Sequence, residues 1–263
     1  MDGSRSFRTG WLRTLHPAEQ PDRMLISFPH GGASASSLFA LSKLLSSTIP
    51  VAAVQYPGRA DRSTERAADS LAEIVDAVSD SLRESGLRAL TLHGHCMGAI
   101  AAYEVARRLE QASDVRVERL VVSGAEAPTR IGRNAIRSDD DSVRSDMQAL
   151  GGTDSRILAD PELLDVYLPA LRADYKAVDE YCYRAGEPLS CPITALVGNV
   201  DPRARVERVA EWEQFTTGEF DLHIFEGGHF YFIDRQEEVA RLLTGLVRQG
   251  QVRHHVGDHG SRR

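Results

Sequence analysis

Residues 89–110 read ALTLHGHCMGAIAAYEVARRLE. An apolar, strand-like run ends in Gly94-His95-Cys96-Met97-Gly98, and a helical pattern starts at once. A side chain on so sharp a strand-to-helix turn is crowded by its own backbone, and small residues two before and two after relieve the crowding. That is the pattern of a nucleophile elbow, and it demands a strand on one side and a helix on the other. The turn also sets Cys96 at a helix N-terminus, where the dipole and free N–H groups favour negative charge and lower a thiol's pKa. The bland alternative is a structural cysteine on a glycine-rich turn. The residues downstream argue against it.

The rest of the chain supplies the sheet that this elbow needs. Short apolar runs at 24–28, 51–56, 119–124, 193–198 and 222–227 read as strands beside 89–93. Helical patterns alternate with them at 36–45, 70–85, 97–110 and 236–248. In 70–85, Leu71, Ile74, Val75, Val78 and Leu82 share one face at helical spacing. Strand–helix alternation with near-continuous apolar strands predicts an α/β protein, its mostly parallel sheet covered by helices on both faces. One stretch breaks the rhythm. Residues 129–184 carry two helical patterns and no strand. The second has Asp160 as N-cap, Pro161 at the first helical position, and Pro169 where a kink or split is expected. The division predicted is a core at 1–128 and 185–249, a helical lid insertion at 129–184, and a disordered tail at 250–263.

A chain of 263 residues with 42% hydrophobic content can bury a core of this size. The net charge of −7 argues against nucleic acid as the main partner, because phosphate binding needs a basic face. No run approaches the ~18–20 apolar residues of a membrane span, and the first residues lack the apolar core of a signal peptide. A cytoplasmic protein without a membrane partner is expected. Cys96, Cys182 and Cys191 are odd in number and lack metal-ligand spacing, so neither a disulfide framework nor a metal site is expected.

An activated nucleophile needs a base, and the base needs an orienting acid. On a nucleophile elbow their chain order is nucleophile, acid, histidine. Downstream of Cys96, His254, His255 and His259 lie in the tail, and His223 lies within a strand pattern. His229, in GGHFYF just after the last strand, is the base that this order selects. Asp201, in the loop after 193–198, is the acid, with a turn role before Pro202 as its alternative. Upstream, FPHGGASAS follows the first strand of the pattern. Its glycine-rich backbone can turn an N–H toward a developing oxyanion, partnered by the N–H of Met97. Gly31 is the donor chosen. His30 reads as a residue holding this loop by a hydrogen bond, and His93 and His95 as packing or hydrogen-bonding residues.

Together, FPHGGASAS, VQYPGR, GHCMGAIAAYE, LGGTDSRILADPELLDVYLPALRADYKAVDEY and GGHFYF resemble the type II thioesterases of polyketide and nonribosomal peptide biosynthesis. The resemblance runs from about Arg23 to Val247. It implies an α/β-hydrolase fold with a helical lid and hydrolysis of an acyl thioester. The acyl group would ride on the phosphopantetheine of an acyl or peptidyl carrier protein, with no cofactor of the enzyme's own. A monomer is expected. The family's site residues carry over onto Cys96, Asp201 and His229, with oxyanion amides at Gly31 and Met97. Two departures are visible. Residues 29–33 read PHGGA where the family usually has Pro-His-Ala-Gly-Gly, and position 96 is cysteine where the family usually has serine.

With a cysteine, acylation exchanges one thioester for another and is close to thermoneutral. Four readings stay open: a thioesterase working through acyl-Cys96; an acyltransferase or cyclase passing the acyl group to an amine, alcohol or thiol; a cysteine introduced for serine to trap the intermediate; and a non-catalytic carrier-binding module. Carrier proteins are acidic. Arg59, Arg62 and Arg66 in YPGRADRSTER, and Arg130, Arg133 and Arg137 in PTRIGRNAIR, are therefore candidates to steer such a partner. Solvated surface arginine is the alternative for each.

Overall fold

The computed structural model describes residues 10–16, 23–45, 49–112, 115–132, 140–152 and 160–257. Seven strands form its sheet: β1 (Leu12–His16), β2 (Arg23–Phe28), β3 (Val51–Val54), β4 (Ala89–His95), β5 (Arg116–Ser123), β6 (Ile193–Gly198) and β7 (Phe220–Phe225). Their spatial order is β1-β3-β2-β4-β5-β6-β7. β2 to β7 run parallel, and β1 closes the β3 edge antiparallel. β4 and β6 are buried along their whole length, which is why apolar residues fall on both faces of each strand rather than on alternate positions. The strand pattern does not reveal β1, because LRTLH is short, mixed in character and mostly half-buried.

The helices are α1 (Phe39–Leu45), α2 (Leu71–Glu84), α3 (Met97–Ala112), α4 (Asp140–Leu150), α5 (Pro161–Asp179), α6 (Val206–Val209), α7 (Tyr231–Asp234) and α8 (Gln236–Gly257). Successive side chains of a strand point to opposite faces. Met24, Ile26 and Phe28 of β2 accordingly join the cluster containing α2 and α3, whereas Leu25 joins the one containing α1 and α8. α2 starts as its sequence dictates, with Ser70 Oγ accepting the Glu73 amide at 3.2 Å. Leu71, Ile74, Val75, Val78 and Leu82 are all buried.

α4 and α5 form a small core of their own around Val143, Leu164, Leu168, Leu171 and Tyr175. Asp160 caps α5 by accepting the Glu162 amide at 2.9 Å. Contrary to the expected split, α5 continues across Pro169 as one element. Leu164 and Leu168 before the proline and Leu171 after it are packed into that core, which offsets the lost backbone hydrogen bond. α8 also exceeds its expected end at 248, running through Gly257 into the stretch read as tail. Gly250 costs such a helix only about 1 kcal/mol, and no proline follows to stop it. No described helix is long and apolar enough to cross a membrane.

Candidate active site

A parallel sheet presents the C-terminal ends of its strands along one edge, where loops can converge. Cys96 follows β4 directly, Asp201 follows β6 and His229 follows β7. Cys96 has a left-handed backbone with φ +55°, which for a residue with a Cβ costs roughly 1–2 kcal/mol. Its N–H donates to Ser123 O at 2.8 Å and its carbonyl accepts the Ala99 N–H at 3.0 Å, so the turn is clamped between β5 and α3. The flanking glycines leave no room for a side chain. A Cβ on Gly94 would lie 2.1 Å from Gly98 O, and one on Gly98 would lie 2.2 Å from Phe28 O. Gly98→Ala is therefore expected to lose ~3 kcal/mol or more in urea denaturation. A loss below ~1 kcal/mol would contradict this packing.

β6 and β7 are paired neighbours, and their following loops hold each other. The Val200 N–H donates to Gly227 O at 3.1 Å, and the Gly227 N–H donates to Asn199 Oδ1 at 3.0 Å. This contact brings Asp201 Oδ2 to 2.8 Å from His229 Nδ1, with no exposed surface on either side chain. Asp201 Oδ1 accepts the amides of Arg203 at 2.8 Å and Ala204 at 3.1 Å. One oxygen of Asp201 thus holds the turn and the other orients the imidazole. His229 Nε2 is buried and makes no hydrogen bond of good geometry among the described residues.

Cys96 is half-buried and electrostatically coupled to that ring. Burial disfavours charge on both groups, yet each supports the other. Desolvation pushes the Cys96 thiol up, but the His229 charge and hydrogen bond, Arg203 and the Met97 amide bring it below its ordinary value. Desolvation likewise lowers His229, but the Cys96 charge and the Asp201 hydrogen bond raise it to about 9. Charge on the thiol and charge on the imidazole therefore favour one another. The neighbouring histidines stay neutral: burial lowers His30 and His93 to about 4, and His95 is also held well below its ordinary value. The His95 ring lies 4.7 Å from that of His229, and its Nδ1 is 2.8 Å from Ser123 Oγ. His30 Nδ1 is 2.9 Å from Gly31 O, and its ring packs on Phe230.

Cys96, His229 and Gly31 border one cavity of about 780 Å³ under the lid. Such a volume suits a small organic ligand or acyl chain. The lid contributes Met147, Leu150, Val166, Ala170 and Leu171, which make its wall largely apolar. Met97, the first residue of α3, directs its amide to the Cys96 sulfur.

The arginines expected to steer a partner fare differently. Arg59 is 7% exposed and forms a two-pronged ion pair with Asp174, at 2.5 and 2.8 Å. Arg62 has a side chain only 11% exposed, pairs with Glu65 and lies over the Trp11 ring. Neither presents a free charge to solvent, so both leave the steering set. Arg130 is exposed but pairs with Glu211 at 2.7 Å. Arg133 and Arg137 lie outside the described residues. Sequence reasoning missed Asp174, Arg203 and Asp146. Arg203 pairs with Asp146 of α4, which also accepts the Tyr175 hydroxyl of α5, so the lid is tied beside Asp201. Only the nearness of Arg203 to Asp201 in the chain could have signalled it.

A clamped elbow, a buried histidine–aspartate pair and a helical lid on a mostly parallel sheet define the α/β-hydrolase class. Within it, the thioesterase domain family matches residues 23–246, and the chain belongs to that family. Over 246 residues it is 42% identical to the thioesterase PikA5 of Streptomyces venezuelae, covering 91% of this chain and 87% of that one. Among solved structures, the type II thioesterase BorB from the borrelidin biosynthetic cluster superposes with a TM-score of 0.84 at 35% identity, over 92% of this chain and 100% of that one. The RedJ thioesterase from the prodiginine pathway of Streptomyces coelicolor does so at 0.81 and 34%, over 86% of each.

Proposed function

We propose that this thioesterase hydrolyses acyl groups from the phosphopantetheine arm of carrier proteins in polyketide or nonribosomal peptide biosynthesis, through a covalent acyl-Cys96 intermediate. The observation that carries this reading is that half-buried Cys96 and His229 border one cavity, with the imidazole Nδ1 fixed by Asp201 at 2.8 Å. The pathway assignment is supported by relatives that include a type II thioesterase of the borrelidin cluster and one of the yersiniabactin NRPS/PKS pathway.

The Cys96 thiolate attacks the thioester carbonyl and forms a C–S bond. The carbonyl oxygen becomes an oxyanion held by the amides of Met97 and Gly31. As the intermediate collapses, the bond to the pantetheine sulfur breaks and the His229 imidazolium protonates that sulfur. Neutral His229 then takes a proton from water, whose oxygen attacks the acyl-Cys96 carbonyl. A second collapse releases the carboxylic acid and returns Cys96 to the thiolate, with the proton left on His229.

The test is an acyl-pantetheine thioester incubated with the protein, read by intact mass, free thiol and free acid. Expected are a transient acyl adduct on Cys96 and release of both products. Absence of both adduct and turnover would leave only a carrier-binding module. A second reading, acyl transfer, is favoured by the cysteine itself, because an acyl thioester stays activated toward amines and thiols. An adduct that is stable in water and discharges only on an added amine or thiol would select it. In that case Cys96→Ser is expected to raise hydrolysis relative to transfer.

A further inference from the structure

The geometry points to Asp174, on lid helix α5, as a positioning residue that sets the oxyanion loop Pro29–Ala35. This rests on the Cys96 reading above and deepens it. Asp174 is 1% exposed, in a chain where buried carboxylates need partners. Its partners come from the core. Oδ2 accepts the Gly32 N–H at 2.6 Å, and both oxygens accept from the Arg59 guanidinium. The same guanidinium reaches Ala33 O at 3.3 Å. Charge-assisted, two-pronged pairs of this kind are short and directional, so they fix position as well as energy.

The rest of the loop is held from the end of β3. Tyr56 Oη donates to Pro29 O at 3.0 Å, and Gln55 Oε1 accepts the Ala35 N–H at 3.0 Å. Between these two fixed points lie Gly31 and Gly32, the most freely moving residues a loop can have. His30 Nδ1 lies 2.9 Å from Gly31 O within the loop itself, and Asp174 is the side chain that reaches Gly32 from the lid. The lid also packs on them directly: a Cβ on Gly32 would meet Leu171 Cδ1 at 2.8 Å, and one on Gly31 would meet Asp174 Cβ at 3.6 Å. The carboxylate occupies the Gly32 amide, so the neighbouring Gly31 amide is the one left to face the oxyanion. The lid helix therefore does more than cover the acyl chain. Its carboxylate completes the electrostatic cradle for the reaction, and a lid displaced from the core would lose that cradle.

The test separates oxyanion stabilisation from thiol reactivity. A substrate-like aldehyde forms a tetrahedral adduct with Cys96 that needs the cradle, whereas alkylation by iodoacetamide needs only the thiolate. In Asp174→Ala, kcat on a small acyl thioester is expected to fall about 10²–10³-fold, the usual loss of one oxyanion donor. KM should move little, aldehyde affinity should fall in parallel, and alkylation should be as fast as in the wild type or faster. The double variant Arg59→Gln with Asp174→Asn removes both buried charges and keeps an acceptor for Gly32, and is expected to recover at least ~10-fold of the loss. Thermal unfolding monitors whether both variants are folded. The inference is overturned if aldehyde affinity is unchanged in Asp174→Ala, if alkylation falls by the same factor as turnover, or if the double variant recovers nothing. A wild-type protein that neither turns over nor binds the aldehyde would instead bring down the Cys96 reading, and this inference with it.

Discussion

Cys96→Ala is expected to lower thioester turnover by ~10⁴-fold or more, because it removes the bond-forming atom and leaves every supporting group in place. The substitution is structurally mild. Alanine at φ +55° bears the same backbone strain as cysteine, and the clamping hydrogen bonds to Ser123 and Ala99 are made by backbone atoms. Melting temperature should therefore stay within a few degrees of wild type while the acyl adduct disappears from the mass spectrum. The same variant has a second, independent readout. The Cys96 charge is the largest influence raising His229, so without it the imidazole should titrate below about 9. Ring-proton NMR of His229 as a function of pH measures this directly. Turnover within ten-fold of wild type would place the nucleophile elsewhere, and an unmoved His229 titration would mean that the two groups are not coupled.

How far the sequence alone reaches is set by the distance over which its signals act. The elbow is legible because its constraint is local: Gly94 and Gly98 are demanded by contacts within and beside one turn. The pairing of Asp201 with His229 is legible because each lies in the loop just past a strand, and strands β6 and β7 lie side by side. The buried face of α2 follows from helical spacing alone. What escapes is tertiary and polar. Arg59 and Asp174 stand 115 residues apart, and nothing in YPGRADRSTER distinguishes a buried arginine from a solvated one. Arg203 looks like a loop arginine until the lid brings Asp146 and Tyr175 onto it. Pro169 is a case of local propensity overridden: the rule for proline is sound, but the packing of α5 around it outweighs one missing hydrogen bond. β1 fails for the opposite reason. At the sheet edge it buries little, so its composition carries little pattern.

His229→Ala is expected to cost about 10³-fold or more in turnover and to reverse the titration behaviour of the thiol. In the wild type the imidazolium is the largest influence holding Cys96 down against burial. Removing it leaves burial opposed only by Arg203 and the Met97 amide, so the thiol pKa should rise. Iodoacetamide alkylation of Cys96 against pH reads this out. The wild-type profile should rise below the ordinary thiol range, and that of His229→Ala should shift to higher pH. Thioester acylation has a second limb. Once pH passes about 9, His229 loses the proton that the departing pantetheine sulfur needs, so acylation should decline while alkylation, which needs no proton donor, stays level. Asp201→Asn should move that upper limb to lower pH, because the Asp201 hydrogen bond and charge both raise the imidazole. Identical pH profiles for alkylation and acylation would show that His229 donates no proton. A thiol titration unaffected by His229→Ala would show that its charge is balanced by Arg203 and the helix terminus instead.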